Sequence, residues 1–369
     1  MNTLLLTTFG TVLSYAGYIL LAILILLLMI TVHEFGHYIV GKIFGFGIDE
    51  FAIGFGPKIF KKTKKSGEIF SIRAFPLGGF CSFRGEDDDV SDPTAFNNKK
   101  PWQRILVLVA GPLMNYLLAL ILVCCMFGFY GHSCFKVKYV YQPENYEYSL
   151  QEGDVILSAN DVNVYLTTDL MKVVEGKKAG DEINFTVIRD GKVTSVKATI
   201  REDATVFNVE DLRSLLLSLG TYKPAEEGKI YNGLTQESVR FGFFDTIGRS
   251  FEYSFKLAGT IFTVLGQLLT GKLGLSAMGG TITTITTTAS AIQSGGVSYL
   301  LYISSFIGVN LAVFNLLPFP ALDGARIVFN FIEWVRKKPI SRKVEGIIHT
   351  VGFVVLLCLA VIFDLQHCF

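Results

Sequence analysis

The first 32 residues contain no Asp, Glu, Lys, Arg or His, and the next five are His33-Glu34-Phe35-Gly36-His37. Roughly 20 helical residues cross a bilayer core of about 30 Å, so an uncharged apolar run of this length folds as a membrane-spanning helix. No basic residue precedes the run and no small-x-small cleavage signal follows it, so it reads as a retained span. The pentapeptide then lies in the last third of that span. Residues four apart on a helix share a face, which lets both imidazoles reach one metal ion. Glu34 projects beside the same face, where it can take a proton from a water at the metal. The remainder of the chain must therefore complete a metal site inside a membrane.

Half of the chain is hydrophobic, and a mean hydropathy of +0.45 lies above that of soluble globular domains. A net charge of +1 leaves no basic footprint for nucleic acid. Four segments are apolar enough to span, at 14–40, 104–130, 297–320 and 345–363. Cations crowd between the first and second (Lys58, Lys61, Lys62, Lys64, Lys65) and between the third and fourth (Arg336, Lys337, Lys338, Arg342, Lys343). The positive-inside rule then puts both short loops in the cytoplasm, and both termini and the long 131–296 segment outside. The six cysteines form no CxxC pair. Cys134 and Cys368 both fall outside the membrane in this topology, where a disulfide is chemically allowed.

The expected fold is an α-helical polytopic membrane protein of about four transmembrane helices, with a membrane-associated β-hairpin and one inserted PDZ-like α+β domain. Residues 1–45 form the first helix, and 46–103 a cytoplasmic, membrane-dipping β region. There Phe51, Ile53 and Phe55 alternate, Lys65-Ser66-Gly67 turns, and Ile69-Phe70-Ser71-Ile72 resumes. The run Pro76-Leu77-Gly78-Gly79-Phe80 is too apolar for a surface strand, and non-helical backbone at membrane depth is tolerated where it lines a cavity. Residues 104–130 form the second helix and 131–205 the PDZ-like domain, with strands at 182–189 and 193–200 joined by Asp190-Gly191. Residues 206–296 read as a linker carrying an amphipathic interfacial helix at 250–272. The third helix with Leu322-Asp323-Gly324 occupies 297–324, a cytoplasmic amphipathic segment 325–344, and the fourth helix and tail 345–369. The Thr-rich run Thr281–Thr288 fits none of these elements.

Two histidines do not complete a hydrolytic zinc site, which normally takes three protein ligands and leaves a fourth position for water. Asp323 is the best third ligand. It ends the third apolar segment, where a carboxylate is costly unless paired or metal-bound, and this topology gives it the depth of His33. Pro318 and Pro320 break the helix and free backbone groups that can meet an extended peptide. A helix cap at the membrane surface is the alternative role for Asp323.

His33-Glu34-x-x-His37, Leu322-Asp323-Gly324 and a PDZ-like insert between spans two and three resemble the site-2 protease family of intramembrane zinc metalloproteases. More narrowly, the chain resembles the bacterial sigma-factor-regulating branch of that family, like the regulator of sigma-E protease. Ala110-Gly111-Pro112-Leu113-Met114-Asn115 and Pro76-Leu77-Gly78-Gly79-Phe80 match as well, as do Asn310 and Asn315 ahead of the Pro-x-Pro-x-Leu-Asp-Gly run. The resemblance implies one Zn2+ held by His33, His37 and Asp323, with Glu34 as general base. It implies that Asn310 orients substrate or helps hold the oxyanion, and that Asn315, Pro318 and Pro320 shape the cleft. Gly78, Gly79 and Phe80 are implied to form the hairpin edge that pairs with unwound substrate. The implied substrates are single-span membrane proteins, of anti-sigma-factor or remnant-signal-peptide type, first trimmed by a site-1-type protease. The implied location is the bacterial cytoplasmic membrane. The chain departs from the pattern in the segment Gln142–Ser149, before the Gly153-Asp154 turn, and in the Thr-rich run. A catalytically inactive membrane scaffold and a zinc transporter are the competing classes. An intact Glu34 argues against the first, and metal-type residues gathered at one depth without an internal repeat argue against the second.

Overall fold

The computed structural model describes residues 2–86, 90–138, 140, 149–174, 177–178, 180–200, 222–223, 231–272 and 279–368. The chain divides into two units, one of residues 1–126 with 247–369 and one of residues 127–246.

The first unit is built on long apolar helices. Helix α1 runs Asn2–Ile43 and helix α2 runs Pro101–Tyr130. α2 opens on a proline, which fits a first helical position because its missing N–H has no intrahelical partner to lose. Among the described residues four helical stretches are long and apolar enough to cross a membrane: Ser14–Ile43, Pro101–Tyr130, Thr281–Leu316 and Lys343–Gln366.

Between α1 and α2 come strands β1 (Ile48–Thr63) and β2 (Ile69–Phe83). Ile48–Ile53 pairs with Gly79–Phe83 and Lys58–Thr63 with Ile69–Arg73, while Glu50–Ile53 also lies beside Ile69–Ile72. The ribbon is thus four segments wide, with Gly79–Phe83 along one edge. Buried carboxylates pin it in place. Glu68, 3% exposed, meets Lys42 at 2.6 Å and Lys64 at 2.7 Å and accepts a hydrogen bond from Tyr38, which ties the turn to the end of α1. Burial opposes ionisation of Glu50, but hydrogen bonds from Ser71, Lys58 and Arg73 outweigh it and hold the carboxyl at about 2.

The second unit carries a sheet in the order β10-β3-β4-β6-β7, with β5 paired to β4. Its strands are β3 His132–Val137, β4 Val155–Ala159, β5 Val162–Asn163, β6 Glu182–Arg189, β7 Lys192–Thr199 and β10 Leu234–Val239; the short β8 (Tyr222–Lys223) and β9 (Tyr231–Asn232) pair separately. Helix α3, Thr167–Val174, adds Leu170 to a core that includes Ile156, Ile183 and Phe185. The expected hairpin at Asp190-Gly191 is present, with both residues at positive φ (49° and 75°), as a tight twisted turn requires.

Helix α4 (Phe243–Leu269) starts before the expected position 250. Phe244, Ile247, Phe251, Phe255 and Phe262 lie exposed along one stripe, and the helix is not among the four candidate spans.

The third span departs most from expectation. Helix α5 runs Thr281–Leu316, so the stretch expected to be linker up to 296 is helical from 281. Gly296, at φ 61° and ψ −144°, breaks α5 near the expected start of the span. The Thr-rich run is its first segment. Hydroxyls of Thr284 and Thr286 bond back to the carbonyls of Gly280 and Ile282, so they need no water. α5 stops at Leu316, short of 320 or 324, because Pro318 and Pro320 cannot continue the hydrogen-bond ladder.

Asp323 therefore begins helix α6, Asp323–Arg336, rather than ending the third span. Helix α7, Arg342–Cys368, follows. Its Asp364 caps α5, accepting from the backbone N–H groups of Ile282 and Thr283 at 3.1 and 2.9 Å. The proposed Cys134–Cys368 pairing involves a side chain, that of Cys368, outside the described residues.

Candidate metal centre

His33 and His37 occupy successive turns of α1, both 7% exposed. Their Nε2 atoms lie 3.1 Å apart. Asp323 comes from the start of α6, 290 positions from His33, and its Oδ2 is 3.0 Å from His33 Nε2 and 3.4 Å from His37 Nε2. Zinc bonds of about 2.0–2.2 Å in tetrahedral geometry separate neighbouring ligand atoms by about 3.3 Å. Three donor atoms held 3.0–3.4 Å apart have the spacing and chemistry of such a set. Among the described residues no other group of three or more His, Cys, Asp or Glu gathers in this way.

Space for an ion is made by glycine. A β-carbon on Gly111 of α2 would lie 2.4 Å from His37 Nε2 and 2.9 Å from His33 Nε2. One on Gly36 would lie 2.3 Å from the carbonyl oxygen of Ala110, so the two helices touch backbone to backbone beside the histidines. Asp323 reaches the site through a tight turn. Gly324, next to it, has the carbonyl oxygens of Leu317 and Leu316 only 2.1 and 2.5 Å from where a β-carbon would sit. Ala321 takes φ 77° and donates its N–H to His349 Nδ1 at 2.9 Å. His349, to which sequence reading gave no chemistry, thus holds the turn that delivers Asp323.

Beyond the donor atoms, His37 Nδ1 donates to the carbonyl of Val107 at 2.8 Å, which leaves Nε2 with its lone pair. The Asn115 amide lies 3.4 Å from His33 Nδ1. Glu34 is half-buried, and its Oε2 accepts from the backbone N–H of Cys81 at 3.0 Å. The edge segment of the ribbon therefore directs a backbone donor at the glutamate of the motif. A β-carbon on Gly79 would sit 3.8 Å from Glu34 Cγ.

The other sequence candidates divide. Gly78 takes φ 128° and packs under the Phe55 ring, on which Phe80 also stacks at 6.3 Å. Gly78, Gly79 and Phe80 thus sit on the strand that touches Glu34. Asn310 donates to the Phe306 carbonyl of its own helix at 2.8 Å. Asn315 lies half-buried near the end of α5. Pro318 is exposed, whereas Pro320 is half-buried beside Gly352 of α7, where a β-carbon would lie 2.3 Å from Pro320 Cβ. An ion pair between Arg326 and Glu86 closes one side of the α6 turn. Sequence reading passed over Asn115 and Val107 as individual residues. An amide in an apolar span was the one available signal; a backbone carbonyl leaves none.

The family model described as "Peptidase family M50" matches residues 21–359. The chain belongs to this peptidase family. A Clostridium perfringens protein named "Putative zinc metalloprotease" is 35% identical over 353 residues, covering 95% of this chain and 98% of its own length. Two proteins named "Zinc metalloprotease RasP" are each 28% identical. The one from Bacillus licheniformis aligns with 94% of this chain and 98% of its own length, and the one from Geobacillus kaustophilus with 89% and 92%. The resemblance drawn from the motifs thus holds at family level. With four helices apolar enough to span, this M50 peptidase is a multi-pass membrane protein.

Proposed function

We propose that this peptidase is a zinc-dependent intramembrane protease that hydrolyses peptide bonds within or near the transmembrane helices of single-span proteins. His33, His37 and Asp323 hold one Zn2+, and Glu34 is the general base. The observation that carries this reading is the 3.0–3.4 Å spacing of three donor atoms drawn from two helices far apart in sequence. Bound there, zinc supplies Lewis acidity that polarises the scissile carbonyl and makes water acidic enough to be deprotonated near neutral pH.

The chain's own groups supply the rest. Glu34 takes the proton of the attacking water and passes it to the leaving amine. A helix in lipid keeps its carbonyls inside its own hydrogen bonds, so it must unwind before its backbone can be cut. The edge Gly79–Phe83 offers replacement backbone partners by strand addition, and Cys81 N–H couples that edge to Glu34. Pro318, Pro320 and Asn315 shape the same cleft, and Asn310 orients the substrate once its amide leaves the Phe306 carbonyl.

The PDZ-like domain at 131–205 lies outside the membrane. It selects substrates whose external portions a site-1-type protease has already trimmed, and anti-sigma factors and remnant signal peptides are the substrate types. Both termini face outward from a bacterial cytoplasmic membrane. Zinc content of the purified full chain tests the core of the reading. Wild type is expected to hold one zinc per chain, and His33→Ala or Asp323→Ala far less. Equal zinc in all three would overturn it.

A further inference from the structure

We propose that Asn115 is a positioning residue that sets the tautomer of His33 and so switches its Nε2 between a hydrogen-bond donor and a metal ligand. This rests on the metal-centre reading above and deepens it.

A neutral imidazole carries one proton, and it binds a metal only through the nitrogen that lacks it. For His37 the choice is made by the backbone. Its Nδ1 faces the Val107 carbonyl oxygen, which can only accept, so the proton stays on Nδ1 and Nε2 is free to ligate. At His33 Nδ1 no carbonyl stands within hydrogen-bond distance among the described residues. The group there is the side-chain amide of Asn115, 3.4 Å away and fully buried on α2, one turn beyond Gly111. A polar amide buried in an apolar span is costly unless it is used.

An amide can meet either tautomer. With Nδ2 toward the ring it donates to a bare Nδ1, which puts the imidazole proton on Nε2; that proton then lies on the 3.0 Å contact to Asp323 Oδ2. In this setting Asn115 Oδ1 is buried without a partner among the described residues. A half-turn of the amide, whose two ends are nearly the same size, presents Oδ1 to an Nδ1–H instead. Oδ1 then accepts from the ring Nδ1–H while Nδ2 takes the place Oδ1 had, and His33 Nε2 turns a lone pair toward His37 Nε2 and Asp323 Oδ2. The first setting suits the metal-free protein, with the triad closed by its own hydrogen bonds. The second suits the metal-loaded one. A group that only donates or only accepts could hold one of the two.

The test is zinc affinity, read by competition with a chromophoric chelator on the purified full chain in detergent, alongside the melting temperature of the metal-free protein. Asn115→Leu keeps the volume and removes the acceptor, and is expected to weaken zinc binding about 10- to 100-fold. Asn115→Asp, which can only accept, is expected to bind at least as tightly as wild type. At saturating zinc Asn115→Leu should regain most of the wild-type kcat. If the leucine variant does not fold, Asn115→Ala carries the same expectation. Zinc affinity within threefold of wild type for the variant lacking the acceptor, or equal weakening in the Leu and Asp variants, would overturn the proposal. His37→Ala runs in parallel to separate the two readings. Wild type failing to bind zinc more tightly than His37→Ala would sink the metal centre itself.

Discussion

Gly111→Ala adds one methyl group at the point where α2 faces the two histidines. The new carbon would lie 2.4 Å from His37 Nε2 and 2.9 Å from His33 Nε2. Non-bonded heavy atoms sit comfortably at about 3.5 Å, so the overlaps are roughly 1.1 and 0.6 Å. Relief requires either imidazole or helix to move by that amount. The helices are already in backbone contact at Gly36 and Ala110, so the imidazoles are the softer side. A metal site tolerates about 0.5 Å of displacement, and a shift near 1 Å exceeds it. Overpacking of this size costs roughly 1–3 kcal/mol of stability, enough to lower the melting temperature by several degrees in a chain that still folds. Zinc affinity is expected to fall at least about 100-fold, and proteolysis with it. Gly128→Ala is the control: it lies on the same helix, and a β-carbon there meets nothing within 4 Å. The assay is zinc stoichiometry and chelator competition on both variants, with thermal melts. A folded Gly111→Ala protein with wild-type zinc affinity would refute the reasoning.

Asp364→Ala removes the acceptor for two backbone N–H groups and the Thr283 hydroxyl at the start of α5; loss of such a cap costs about 0.5–2 kcal/mol, seen as a lower melting temperature. Glu333→Gln leaves Arg104, 3% exposed, without its anionic partner. A buried charge stripped of its partner destabilises by about 3–5 kcal/mol, and a melt within a degree of wild type would count against this. Glu50 has its folded-state value lowered from 4.5 to about 2, so it stabilises the ribbon fully above pH 4.5 and loses that contribution as pH falls toward 2. Hydrogen-exchange protection of the β1–β2 amides in wild type should accordingly exceed that in Glu50→Gln at pH 6, and the gap should narrow steadily below pH 4.5.

The first, second and fourth spans and half of the proposed metal site were legible because each rests on local pattern. An uncharged run sets the first span, and a four-residue spacing puts two imidazoles on one face. Asp323 was readable only through its cost at the end of an apolar segment and through the family motifs, since a partner 290 residues away leaves no local trace. The limits of the third span were misread for physical reasons. Gly296 takes a left-handed conformation that a hydropathy pattern does not record; β-branched threonines are weak helix formers, and the cap of that helix, Asp364, comes from α7, far along the chain. The Cys81–Glu34 contact was equally hidden, as a backbone N–H carries no sequence signature.

Peptide-bond cleavage by wild type and Glu34→Gln, each zinc-loaded, against a single-span substrate reconstituted in lipid tests the central claim most directly. Product masses locate the cut. The account predicts that both proteins bind zinc equally, that only wild type cuts, and that it cuts within the span or at its edge. Equal cleavage by Glu34→Gln, or cuts confined to the substrate's soluble portions, would contradict it.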